Sequence, residues 1–129
     1  ARQMEDAGRF TEGRAPVKLD GWVGIINAKG DLVVKPKLAS ATRYSVFVDG
    51  LAPAYEKEGE TGFLDRDGHW AIPPQFNAAG HFSEGLAYAS QRADSGSGTS
   101  LLSGFINRTG EFVIPPRFDA AFAYRQKSA

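Results

Sequence analysis

The chain has 129 residues, 15 Lys+Arg against 15 Asp+Glu, and no cysteine. Zero net charge argues against the basic face that nucleic-acid proteins turn toward phosphates, and against attraction to an anionic membrane. The missing cysteine excludes a disulfide framework, a thiolate zinc site and a thiol nucleophile, and suits a periplasmic, secreted or cytoplasmic location equally.

With 42% apolar and 12% aromatic residues the chain reads as globular, and no apolar run approaches the ~18 residues of a membrane-spanning helix. Ala1 stands where translation would place Met, which implies an upstream residue or segment of unidentified kind. In chain order the first element is Phe10-Thr11-Glu12-Gly13-Arg14-Ala15, which returns as Phe47-Val48-Asp49-Gly50-Leu51-Ala52 and Phe82-Ser83-Glu84-Gly85-Leu86-Ala87. Each copy leads into a strand with small residues on one face: Ala15 and Val17, Ala52 and Ala54, Ala87 and Ala89. Small side chains at these positions imply close approach to a neighbouring repeat.

The second element runs from Val23 to Leu38, from Thr61 to Phe76 and from Ser103 to Phe118. Gly24, Gly62 and Gly104 are 38 and then 42 residues apart; Gly30, Gly68 and Gly110, and Pro36, Pro74 and Pro116, keep both spacings. Asn27, Asp65 and Asn107 each precede a Gly by three residues. That pattern marks a type I turn followed by a left-handed glycine, the three-residue loop of a bulged hairpin. Strands are therefore expected at 24–27, 62–65 and 104–107, turning back into 31–35, 69–72 and 111–114. Proline has no ladder donor, so Pro36, Pro73-Pro74 and Pro115-Pro116 are expected to end the returning strands. Residues 77–81 and 119–122 are Ala-rich but too short for a helix. Glu56-Lys57-Glu58-Gly59-Glu60 reads as a solvated hairpin end, and residues 91–103, rich in Ser and Gly, as a flexible insertion.

The fold expected from this order is all-β: three repeats of about three antiparallel strands each in one domain spanning 1–129. The divisions are a half-repeat at 10–20, repeats at 21–60 and 61–103, and a half-repeat at 104–124. Three copies of each element with none left over favour closure, the strand at 10–18 pairing with the hairpin at 104–114. The alternative is an open array with exposed edges.

The spaced elements together resemble the WG-repeat (KWG-type) family of bacterial β-repeats. Its unit reads roughly Trp-Gly-Tyr-Ile-Asp, a turn with Gly, a hydrophobic strand ending Ile-Pro-Pro-x-Phe/Tyr, then Phe-x-Glu-Gly-Leu-Ala. Gly62 to Ala87 and Gly104 to Phe118 match it best, and the resemblance spans about Phe10 to Phe122. The slot of the family's tryptophan holds Val23, Thr61 and Ser103, while Trp22 stands one residue early. The first copy also has Lys35-Pro36 for Pro-Pro and extra residues around Arg43-Tyr44-Ser45. The resemblance implies β-structure and a binding or scaffolding role, and brings no catalytic residues with it.

Recurrence separates fold from function, because all copies must make the same turns. Asp65, Asp67 and His69 are ligand types for a cation, but the equivalent slots hold Asn27, Lys29 and Asp31, and Asn107, Thr109 and Glu111, so turn chemistry is the better reading. Glu12, Asp49 and Glu84 could be paired acids of a glycosidase; their recurrence at one slot points instead to bonding of turn amides. Neither His69 nor His81 has a nucleophile in a recognisable setting, and no phosphate-binding loop is present.

The irregular residues are the candidate binding set: Trp22, Arg43 and Tyr44 in the first copy, with Tyr55 and Tyr88 on the third-strand positions. Tyr55 aligns with Lys18, whereas Tyr88 aligns with Pro16 and Pro53, so the tyrosines form no ladder. The expected function is a non-catalytic module binding another protein, with no cofactor or metal. Carbohydrate or cell-wall binding and toxin inhibition or immunity are the alternatives, and an enzyme built on Asp65, His69 and Glu84 is disfavoured. Nucleic acid and membrane insertion are not expected, and the oligomeric state is left open.

Overall fold

A computed structural model describes residues 4–40, 42, 45–95 and 98–117 of the chain. Eleven strands and no α-helix occur among them. They form three antiparallel sheets. The first holds β1 (Met4–Ala7), β2 (Arg14–Leu19), β3 (Trp22–Asn27) and β4 (Leu32–Leu38) in that order. The second holds β5 (Ala52–Ala54), β6 (Thr61–Leu64) and β7 (Trp70–Phe76). The third holds β8 (Ala78–Ala79), β9 (Ala87–Ser95), β10 (Gly98–Ile106) and β11 (Phe112–Arg117).

Each repeat is thus a three-stranded meander, β2-β3-β4, β5-β6-β7 or β9-β10-β11. The two strands beyond the expected nine, β1 and β8, are edge pieces laid against the first strand of a meander. Gly8 N–H donates to Pro16 O at 2.9 Å and Gly80 N–H to Tyr88 O at 2.9 Å, at matching positions. Ala39 N–H likewise donates to Tyr55 O at 2.8 Å. The segment leaving one repeat therefore becomes an edge partner of the next, which stitches the sheets into one array.

The Asx-Gly hairpins form as their spacing requires. Gly30, Gly68 and Gly110 have φ of 87°, 89° and 89°. Asn27 Oδ1 accepts the N–H groups of Lys29 and Asp31, Asp65 Oδ1 those of Asp67 and His69, and Asn107 Oδ1 those of Thr109 and Glu111, all at 2.9–3.0 Å. In the Phe-x-acid-Gly element, Glu12, Asp49 and Glu84 have φ of 51–53° and the glycine after each is also left-handed. Two successive positive φ values make a type I′ turn, closed for example by Thr11 and Arg14 exchanging backbone bonds at 2.8 and 3.0 Å.

The prolines do not end the strands. β4, β7 and β11 run through Pro36, Pro73-Pro74 and Pro115-Pro116 because these residues occupy a bulge. Phe63 pairs with Ile72 and Thr61 with Phe76, so Gly62 alone faces Pro73, Pro74 and Gln75. In a bulge the extra residues have no ladder partner, so a missing N–H costs nothing. A Cβ on Gly62 would lie 2.5 Å from Ile72 O and 2.7 Å from Pro74 N. The repeating Gly and the repeating Pro are two halves of one feature.

Among the described residues the chain does not close on itself. One edge of β2 is taken by β1 and the other by β3, which leaves none for the C-terminal hairpin. The expected flexible insertion at 91–103 is also replaced by structure: β9 and β10 continue as a long hairpin, paired from Ala87–Ile106 out to Ser95–Gly98. Around residues 77–81 the chain forms the short strand β8.

The core lies between repeats. One cluster joins Val23, Ile25, Val34 and Leu38 of the first meander to Phe47, Ala52, Ala54 and Leu64 of the second unit. The other joins Phe63, Ile72 and Phe76 to Phe82, Ala87, Ala89 and Ile106. The same positions are used twice, and the small alanines admit the neighbouring sheet as their pattern implied. Polar ties follow the stack: Phe47 N–H donates to Thr11 Oγ1 at 2.9 Å and Gly50 N–H to Glu12 Oε1 at 2.8 Å. Arg14 Nε donates to Arg66 O at 2.7 Å and Arg108 Nη2 to Asp49 O at 2.8 Å.

Candidate functional site

Most of the chemistry-bearing side chains serve the fold. The donor atoms of Asp65, Asp67 and His69 lie within 4.8 Å of one another. Asp65 Oδ1 is already the acceptor of its own turn, and the copies with Asn27 and Asn107 build the same turn. Glu12 bonds an amide of the next repeat's turn rather than one of its own. A left-handed Glu is uncommon, and this tie between repeats offsets that conformational cost.

Trp22 is the first residue of β3, directly after the Asp20-Gly21 turn and opposite Leu19, and it is exposed. Its neighbour Val23, in the family's tryptophan slot, is buried in the inter-repeat core. One residue of displacement along a strand puts the indole on the other face. Tyr88 is half-buried and packs edge-on against Phe105, with ring centroids 6.5 Å apart and its hydroxyl 3.4 Å from Ser103 Oγ. Its slot is not outward in the other copies, since Pro16 and Pro53 are fully buried. Arg43 and Tyr44 lie outside the described residues.

Among the described residues of the expected set, Tyr55 lines a cleft. This cleft, of about 480 Å³, lies between the second and third repeats. Tyr55, Glu58 and Thr61 come from the second unit, and Asn77, Ala79 and Arg92 from the third. Ser40 lies at its base, 1% exposed, with a hydroxyl that has no hydrogen-bond partner among the described residues. Arg92 Nε donates to Asn77 Oδ1 at 3.1 Å, which holds the guanidinium against the wall. An aromatic ring, a cation and an anion thus line one concavity. Sequence reading missed Ser40, Asn77 and Arg92 because each lies outside the recurring motifs, Asn77 in the Ala-rich stretch 77–81 and Arg92 in the segment read as a flexible insertion. Their signal was the lack of recurrence that had marked Tyr55.

The architecture defines a class: an open all-β array in which meanders stack through shared cores. Within that class the match is specific. The family model described as WG containing repeat matches residues 5–21, 24–58, 62–92 and 104–127, and the chain belongs to that family. No curated protein and no solved structure matches it.

Proposed function

We propose that this repeat module is a non-catalytic binding and scaffold unit for another protein, and that it engages an extended segment of its partner in the cleft between the second and third repeats. The observation that carries the reading is the cleft between two repeats, where the Tyr55 ring, the Glu58 carboxylate and the Arg92 guanidinium line one concavity. Tyr and Arg are the residue types that most often dominate interface energy, and Glu58 beside Arg92 suits a segment with charges of both signs.

The test is affinity capture from the source cells with the native chain and with Tyr55→Ala/Arg92→Ala, both shown folded by circular dichroism. Partners held by the native chain should be lost with the double variant. Equal capture by both would remove the cleft from recognition.

A second reading, carbohydrate binding, is favoured by one observation, the exposed ring of Trp22. It would show as glycan binding that survives the cleft variant and is lost in Trp22→Ala.

A further inference from the structure

The two internal interfaces are built from equivalent residues, and the same two half-interfaces recur at the ends of the array, exposed in part among the described residues; Ala15 and Val17, in the slots of Ala52 and Ala54, are buried. On the leading side, Phe10 occupies the slot of Phe47 and Phe82. It is 52% exposed, whereas they are 3% and 2% exposed. Leu32 occupies the slot of Trp70 and Phe112, which pack against the internal cores, and it too is exposed.

The turn glycines report the same vacancy. A Cβ at Gly68 would sit 2.9 Å from Val34 Cγ2 and 3.4 Å from Val33 Cγ1, and one at Gly110 would sit 2.9 Å from Ile72 Cγ2. At Gly30 nothing lies within 4 Å. Beside it Val17, Ile26, Leu32 and Pro36, together with Lys35, line a largely apolar hollow of about 940 Å³. On the trailing side, Val113 and Ile114 are the counterparts of Val33 and Val34. Ile114 is half-buried, although its counterparts Val34 and Ile72 are buried; Val113 is exposed, as Ala71 is in the second unit, whereas Val33 is half-buried against the first core.

We propose that these faces join two copies of the chain head to tail, the Gly30 hairpin of one copy seating on Val113 and Ile114 of the next. This contact would repeat the seating of Gly68 on Val33-Val34 and of Gly110 on Ile72. The occupant is a second copy because the chain itself carries both complementary halves, in the residue types that already pack together inside it. The contact is heterologous, so each copy added leaves one face of either kind at the ends of the assembly. It is separate from the cleft and stands independently of the binding proposed there.

Sedimentation velocity on the full chain tests it. The native chain should grow in size from low micromolar to submillimolar concentration. Phe10→Glu and Val113→Glu should each weaken association on the order of tenfold or more, since each puts a charge into the proposed apolar contact. Mixed in equal amounts, the two variants should form a 1:1 dimer that grows no further, because each retains the face the other lacks. Both substitutions are at exposed positions, and Leu32→Glu repeats the leading-face test. A native chain that stays monomeric would assign the faces to other occupants and overturn the proposal. Association unchanged in the single variants, or a mixture without the dimer, would also overturn it.

Discussion

Phe82→Ala is expected to lower the free energy of unfolding by about 3–5 kcal/mol, and the equivalent Phe10→Ala by less than about 0.5 kcal/mol. The two residues hold the same place in the same motif, so propensity and turn chemistry are matched between them. What differs is cover. The Phe82 ring is buried and meets Phe63 edge-on, with centroids 4.9 Å apart and planes at 61°. Its removal leaves a cavity against Phe63, in a cluster with Phe76 and Ile106 that joins two sheets. Phe47→Ala should behave like Phe82→Ala, since Phe47 is buried against Val34 and Leu38 in the other interface. Urea unfolding at low micromolar protein, where association is minimal, reads all three. Similar losses at the three positions would mean that each unit holds its own core.

Gly62→Ala is the second large effect, expected at about 3 kcal/mol of destabilisation, the upper part of the usual range for overpacking. The cause is the bulge opposite, not backbone conformation at Gly62, whose φ is negative. The new methyl would be driven against Ile72 O and the Pro73-Pro74 backbone, with Pro73 C at 2.9 Å. Backbone of a paired strand cannot rotate away as a flexible side chain can, so the β6–β7 register would have to give. A control lies in the same repeat type: Gly85→Ala, where φ is 83° and nothing lies within 4 Å, meets only the left-handed backbone cost of about 1–2 kcal/mol. Thermal and urea unfolding of both variants separate steric exclusion from conformational cost. A Gly62→Ala protein as stable as the native chain would show that the bulge is loose.

The meanders, their turns and the small face of the third strand were legible in the sequence because they depend on local rules. Asn27, Asp65 and Asn107 cap the turns their spacing implied, and Ala52, Ala54, Ala87 and Ala89 face the neighbouring unit. The fate of the prolines was not legible. Pro73 and Pro74 look like strand terminators until the residue across the ladder, Gly62, is known to make room for a bulge. Closure was misjudged for a similar reason. Counting elements shows that two halves are complementary, but only the pairing of β1 with β2 shows that the needed edge is occupied. The hairpin over 91–103 was hidden by a Ser- and Gly-rich composition that reads as flexible. Of the expected binding residues, Tyr55 reached a cleft, while Trp22 and Tyr88 lie on other surfaces. Arg92 could not be linked to Tyr55 from sequence, since the neighbouring repeat supplies the far wall.

The stability of this chain resides between the stacked repeats of an open array. Proton–proton NOEs on the full chain at low concentration test it most directly. Contacts are expected from the Gly68 Hα protons to the Val34 methyls and from the Gly110 Hα protons to the Ile72 methyls, with none from Gly30 to Ile114 of the same chain. Loss of the first two contacts, or an intramolecular contact between Gly30 and Ile114, would contradict the account.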